Sequence, residues 1–252
     1  MSVLFRLQPV ILLVSFGLVW LFPVCALGAR FGLWNFKVAF SLLAGCALTG
    51  AIILALAGVG LIGSIRQGNE KAKHRSMLVI FVLIIPMGVL FSSAYSASQV
   101  PRIHDISTDL ESPPEFSLLL DKRPKDANTL AIKPEVIEQQ KQYYTDLSSL
   151  ELSLDKGKAL QLAKQAAEQM GWHPIMVGSA SDGKSATLEA VDTTFWFGFK
   201  DDIVVRIAER KPEGVTMDVR SVSRVGQSDL GKNAKRIRQF LDQVKTASTA
   251  GS

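Results

Sequence analysis

The 252-residue chain is poor in the residues on which most enzyme chemistry depends. Its two cysteines, Cys25 and Cys46, both lie in apolar runs. The part after residue 97 therefore has no disulfide, no thiolate zinc site and no cysteine nucleophile. There is no Gly-x-Ser-x-Gly elbow, Ser-x-x-Lys set, P-loop or dinucleotide fingerprint. Of the three histidines, only His104 stands beside an acid, Asp105, ahead of the helical region. No cofactor or metal site is expected.

Acid is also scarce at one end. Residues 1–97 carry seven Lys and Arg against a single acid, Glu70. The remainder carries 21 basic and 22 acidic residues, close to neutral. The high isoelectric point is thus membrane-flanking charge, and no nucleic-acid partner is expected.

What the first part has in abundance is apolar length. Three runs, about 7–28, 38–65 and 77–97, hold no Asp, Glu, Lys, Arg or His. About 20 apolar residues cover a roughly 30 Å hydrocarbon core, so each run is long enough to span. Pro86 inside the third is tolerated where neighbouring helices satisfy the freed carbonyl. With no ionisable group inside, the segment reads as an anchor and not a transport pathway.

Lys and Arg set the orientation. The loop from Ser64 to Ser76 holds Arg66, Lys71, Lys73 and Arg75, and Arg6 precedes the first run. Only Arg30 and Lys37 lie between the first and second. The N-terminus and the second loop are expected in the cytoplasm. The C-terminal part is expected in the periplasm, the whole a multi-pass protein of a bacterial inner membrane. A second reading takes the first run as a signal peptide cleaved after Ala26-Leu27-Gly28, with the orientation of everything after Ala29 unchanged.

Ala47, Ala51 and Ala55, with Gly50 and Gly58 beside them, form a small-residue stripe in the second run. Packing among the chain's own helices is the favoured reading, and a helix-mediated homo-oligomer the other.

Residues 98–128 are rich in proline and read as an extended arm. Residues 129–252 read as a soluble domain. A short helix starts at Pro134. A longer one runs from Lys156 to Met170, with Ala159, Leu160, Ala163, Ala166, Ala167 and Met170 at helical period. Strands are expected at 172–180, 185–192, 203–208 and 215–222, with 195–199 a further strand or an irregular edge. Asp182-Gly183, Asp201-Asp202 and Pro212-Glu213-Gly214 are turn signals. A last helix runs from about Asp229 to Val244, capped by Ser228 or Asp229. Helix, antiparallel strands and helix make a two-layer α+β domain, anchored by three transmembrane helices.

Several stretches carry a family resemblance. They are residues 101–109 (PRIHDISTD), 113–116 (PPEF), 194–206 (with FGFKDDIVVR) and 218–238 (DVRSVSRVGQSDLGKNAKRIR). Over about 98–245 the chain resembles the domain-of-unknown-function 1499 family. The resemblance implies a membrane-associated or secreted bacterial-type domain. It implies no activity and brings no catalytic residues.

The densest chemistry is the last of these stretches. On a strand, Asp218, Arg220, Val222 and Arg224 share one face. Two arginines ahead of a helix start at Ser228 and Asp229, with Asn233 and Arg236 following, make a candidate anion site. A lipid headgroup or an envelope phosphate would suit it. The competing reading is internal, with Arg220 and Arg224 paired to Asp218, Asp229, Asp105 or Asp109. Secondary candidates are His104 with Asp105 as an acid–base or metal element, and Asp201 with Asp202 as paired carboxylates. A structural histidine and a solvated turn are their plainer readings. In the aromatic run, Phe195, Phe197 and Phe199 are expected in the core and Trp196 outside, a lipid- or partner-facing rim being the alternative.

Three functional readings follow. The favoured one is a membrane-tethered binding or scaffolding module acting on an envelope component or another membrane protein. The others are an envelope hydrolase or lipid-modifying enzyme, and a lipid-handling domain.

Overall fold

The computed structural model describes residues 2–179 and 183–250. The chain forms two compact units, one of residues 1–96 with Phe195–Gly198, the other of Ala97–Thr194 and Phe199–Ser252.

The first unit is built on three long helices: α1 (Ser2–Arg30), α2 (Phe36–Arg66) and α3 (Glu70–Ser98). All are long and apolar enough to cross a membrane. The third starts earlier than its apolar run, because Asn69 accepts the Ala72 amide and caps the charged turn from Glu70. Asn35 caps α2 in the same way, accepting the amide of Val38. Trp34 closes the α1–α2 turn by donating its indole N–H to the Cys25 carbonyl at 3.0 Å. A Cβ at Gly28 would collide with that ring, at 2.0 Å from its nearest carbon.

The buried face of α2 runs through Cys46, Gly50, Ile53, Ala57 and Gly60. The expected stripe lies elsewhere: Ala51 and Ala55 are exposed. Helical phase explains the difference. Gly50, Ala57 and Gly60 recur at the spacing that faces α1 and α3, whereas the alanines fall on the next face round.

The second unit is an all-antiparallel sheet of β1 (Asp105–Ser107), β2 (Leu150–Leu152), β3 (Ile175–Ser179), β4 (Ser185–Thr193), β5 (Lys200–Glu209) and β6 (Val215–Ser223). The order is β1-β6-β5-β4-β3, with β2 also paired to β6. The two three-residue strands share one edge of β6, β1 opposite Arg220–Val222 and β2 opposite Val215–Met217. A short helix α4 (Pro134–Tyr143) lies between them in sequence.

Two helices cover one face. The longer, α5 (Lys156–Gln169), is capped by Asp155, whose carboxylate accepts the Lys158 amide. Its buried positions are all alanine: Ala159, Ala163, Ala166 and Ala167. Such small side chains let its axis lie close to the sheet. The other is α6 (Lys232–Ala250), which buries Ala234, Ile237, Phe240 and Val244. Between helices and sheet lie Leu188, Ile203, Val205, Ile207, Met217 and Val219, with Trp172 stacked on Phe240 at 5.1 Å between ring centres. Fully burying a large apolar side chain contributes about 1.5–3 kcal/mol, so each of these residues adds stability on that scale.

The other face is covered too. Phe116 and Leu119 of the arm, with Leu130 just after it, pack on Val191, Val204 and Val222. The arm is therefore the outer layer of the sheet, and it contributes β1 to the sheet itself.

Three local expectations need correction. Asp201 and Asp202 are not a solvated turn but the buried start of β5, 3 % and 0 % exposed. Adjacent residues on a strand face opposite sides, and here each side supplies a guanidinium. Residues 195–199 take the irregular form of the two expected, and Phe195, expected in the core, is exposed together with Trp196. The Phe199 amide donates to Thr194 Oγ1 at 2.9 Å and the Thr194 amide to the Phe199 carbonyl at 2.8 Å, closing the loop and leaving 195–198 out of the ladder. Trp172 precedes β3 and fills the core instead of starting the strand. Ala180 and Asp182 lie outside the described residues.

Candidate functional site

Alternation along β6 puts Asp218, Arg220, Val222 and Arg224 on the arm side, as the strand period requires. Arg220 is 4 % exposed. Its Nε and Nη2 donate to the two carboxylate oxygens of Asp105 at 3.0 and 2.7 Å. The same guanidinium donates to the carbonyls of Leu130 at 2.6 Å and Pro114 at 3.2 Å. It lies 5.7 Å from the ring centre of Phe116. One side chain thus ties β1, the middle of the arm and the segment just after it to the sheet.

Arg224 donates Nε and Nη2 to Asp202, at 2.9 and 2.7 Å to Oδ1, and Nη1 to the Lys122 carbonyl at 3.3 Å. Arg123 of the arm donates to the same carboxylate through Nη1. Burial depresses Arg123; Asp202 works against this and the neighbouring Arg224 adds to it. Two guanidiniums therefore depend on one acid. Farther along, Arg206 bridges Asp109 and Asp218 at 2.7 and 2.8 Å.

The helix side is closed in the same manner. Arg236 donates to Asp192 at 2.8 Å and Asp201 at 2.6 Å, to Ser221 Oγ at 3.0 Å, and to Asn233 Oδ1. The Asn233 amide nitrogen Nδ2 donates to the His104 carbonyl at 2.9 Å and Ser223 Oγ at 3.1 Å. The start of α6 is capped from within: Asp229 accepts the Gly231 amide at 2.8 Å and the Asn233 amide at 2.7 Å. Burial pushes the Asp229 carboxyl up, the two amides pull it down without cancelling that, and nearby Asp201 raises it further. Ser228 Oγ accepts the Leu230 amide at 3.2 Å.

The six candidates of the anion site are thus divided between the two faces of the sheet, Arg220 and Arg224 on the arm side and Asn233 and Arg236 on the helix side, and each is hydrogen-bonded within the protein itself. Among the secondary candidates, Asp105 belongs to Arg220, and Asp201 and Asp202 lie on opposite faces. The buried Nδ1 of His104 has no hydrogen-bond partner among the described residues. Nor do the described residues hold a cluster of three or more His, Cys, Asp or Glu suited to a metal.

Sequence reading missed Arg123, Asp192 and Glu189. Glu189 is fully buried and faces the arm, where it meets backbone and not a cation. Its Oε1 accepts the amides of Ser117 and Leu118 at 2.6 and 3.0 Å and the Ser117 hydroxyl at 3.0 Å; Oε2 accepts the Leu119 amide at 2.9 Å. No sequence signal singles it out, because Leu188-Glu189-Ala190 alternates like any half-exposed strand.

Tyr144 carries a second orphan group. It is 7 % exposed, and its hydroxyl has no partner among the described residues. Burial pushes its pKa up to about 12, with the Asp229 charge adding to this and Arg238 opposing. The neutral phenol is the form the fold favours. Its contribution is complete below the unfolded value, about 10, and is lost as pH rises through about 12. Tyr144→Phe should leave stability at pH 7 unchanged or higher by up to about 1 kcal/mol, since a buried unbonded hydroxyl is removed. It should also flatten the loss of stability between about pH 10 and 12 seen in urea titrations of the parent. A destabilised variant at neutral pH would show that the hydroxyl has a partner.

These features define a membrane-anchored α+β protein whose sheet is covered on both faces and whose buried arginines are paired with acids of the same chain. Residues 105–244 match the family model described as a protein of unknown function, DUF1499, and the chain belongs to that family. The match begins on β1 and ends at Val244 of α6, a buried residue, so it spans the sheet unit with its arm. No curated protein and no solved structure matches the chain.

Proposed function

We propose that the protein is a membrane-tethered binding or scaffolding module of the bacterial cell envelope. Its N-terminus lies in the cytoplasm and its sheet domain in the periplasm. The observation that carries this reading is the closure of the arginine cluster: Arg220, Arg224 and Arg236 are all accepted by buried acids of the same chain. A site for an anionic substrate would leave a guanidinium edge open. The hydrolase reading draws no support from a His104 whose neighbour Asp105 is held bidentately by Arg220. Positive charge in the Ser64–Ser76 loop supports the orientation.

Two measurements test this. An alkaline phosphatase fused after Ser252 should be active, and a cytosolic-only fluorescent reporter at the same place dark; the reverse overturns the orientation. Calorimetric titration of the detergent-solubilised chain with millimolar inorganic phosphate should give no binding heat. Heat that Arg224→Gln abolishes would restore an anion site. Native mass spectrometry of the extracted protein should then show a retained protein or lipid partner, and a clean apo mass counts against the binding role.

A further inference from the structure

The sheet has two edges, and they are built differently. At one of them β6 is covered by β1 and β2, each three residues long. The side-chain amide of Gln140, on α4, seals β1 as a peptide group would. Its Oε1 accepts the Ser107 amide at 3.0 Å and its Nε2 donates to the Ser107 carbonyl at 2.5 Å. On β2 the exposed Glu151 sets a charge along the edge. Short edge strands and edge charges keep a sheet from pairing with another.

The other edge is β3, and it has neither seal nor charge. It is five residues long, and residues 174–181 (PIMVGSAS) include no Asp, Glu, Lys or Arg. The register fixes which backbone groups it offers. The Glu209 amide donates to the Lys184 carbonyl, next to the Ser185–Ala208 pair. Hydrogen-bonded pairs recur at every second residue of an antiparallel ladder. Ala186, Leu188 and Ala190 therefore turn their N–H and C=O to β5, and Thr187, Glu189 and Val191 turn theirs to β3. Met176 and Gly178 lie opposite Glu189 and Thr187. Ile175, Val177 and Ser179 are left pointing their N–H and C=O away from the sheet, and among the described residues nothing hydrogen-bonds them. Val177 is 48 % exposed, on the face it shares with Ile175 and the helices.

We propose that β3 pairs with β3 of a second copy of the chain, antiparallel, joining two sheets into one. The edge is complementary to itself. A two-fold axis at Val177 sets Val177 opposite Val177 and Ile175 opposite Ser179, so each outward N–H of one copy meets an outward C=O of the other. At the axis the two Cα atoms stand about 5.5 Å apart and the two valines cover each other. On the arm face Met176 meets Gly178 of the second copy, where Leu118 lies 3.2 Å from the position of a Cβ. No charge on either strand repels the other. A foreign strand is selected by pockets for its alternate side chains. A second copy needs only the match of register that the edge already has. The three apolar helices hold all copies in one membrane, which raises their effective concentration and lets a short strand pair suffice.

The test uses the full-length chain. Val177→Cys or Glu213→Cys is added to Cys25→Ala and Cys46→Ala, and native membranes are treated with a short bismaleimide. Val177→Cys should give a product of twice the chain mass, several-fold more abundant than Glu213→Cys gives from the β5–β6 turn. In mild detergent, native mass spectrometry of the parent should show a dimer. Val177→Pro removes the N–H at the axis, a change an edge strand tolerates, and Val177→Lys opposes two charges there. Both should yield monomers with an unchanged melting midpoint; the crosslink ratio decides alone if either melts early. A Val177→Cys adduct of any other mass gives the edge to a different protein and overturns the proposal. So do equal products at 177 and 213, no product at 177, or a monomeric parent. A dimer that survives both substitutions places the contact on another surface and overturns it as well.

Discussion

Asp202→Asn is expected to destabilise the sheet domain by about 3–5 kcal/mol, the cost of breaking a buried ion pair by removing one partner. The substitution keeps the side chain's volume, so packing is not the cause. What is lost is the carboxylate shared by Arg123 and Arg224, both under 9 % exposed at the side chain. Two guanidiniums would face each other under the arm with no counter-charge. For a unit of this size, a few kcal/mol lowers the melting midpoint by about 10 °C. Near-ultraviolet circular dichroism of the detergent-solubilised chain follows that transition. A loss under about 1 kcal/mol would mean that water reaches the arginines and that the cluster is looser than its geometry. Replacing Arg220 and Asp105 together by apolar residues of like volume should cost far less than replacing either alone, because no buried charge is left behind.

Glu189→Ala is expected to release the arm. The Glu189 carboxylate is the acceptor for three consecutive backbone amides, Ser117, Leu118 and Leu119. Removing it orphans amides at the centre of the layer that covers β4 and β5. Each buried unsatisfied amide costs about 1–3 kcal/mol, so a total near 3 kcal/mol or more follows even after partial relaxation. Hydrogen exchange read by mass spectrometry should quicken sharply at 117–119 and over the neighbouring arm. The helix side, built on Trp172, Phe240 and Ile237, should keep its protection. Unchanged exchange at 117–119 would sink the assignment of Glu189 as the arm's clasp.

Both effects arise from one arrangement. A sheet covered by helices on one face usually turns a polar face to water. Here that polar face is buried by an irregular arm, and every charge on it needs a partner inside the protein. Asp105–Arg220, Asp202–Arg224–Arg123 and Asp109–Arg206–Asp218 are those partners. Removing one partner of such a group is expensive although the pair as a whole adds little net stability, so the cluster is better read as fixing where the arm docks.

How much of this was legible differs from element to element. The periodic alanines of α5 and the Asp155 cap identify that helix without any tertiary information. The two faces of β6 follow from parity alone, and the assignment of Asp218, Arg220, Val222 and Arg224 to one side holds. Asp201-Asp202 was not legible, because two adjacent acids look the same at a solvated turn and at a strand start with an arginine on each face. The aromatic run at 195–199 has the alternation of a strand, but β4 and β5 are joined across its base and leave it outside the ladder. The stripe on α2 has the right spacing for close packing, yet spacing does not say which face of a helix meets its neighbours.

The sequence by itself determined the solvents and the family. Long uncharged runs are stable only in hydrocarbon, the residues after them carry the charge of a water-soluble domain, and local period and turn chemistry set most helices and strands. Tertiary structure alone decided the role of the charged residues. Arg220 and Asp105 are 115 positions apart, and no local pattern encodes which acid meets which guanidinium. That pairing exists only once the arm has folded over the sheet and driven out the water that would otherwise have solvated them both.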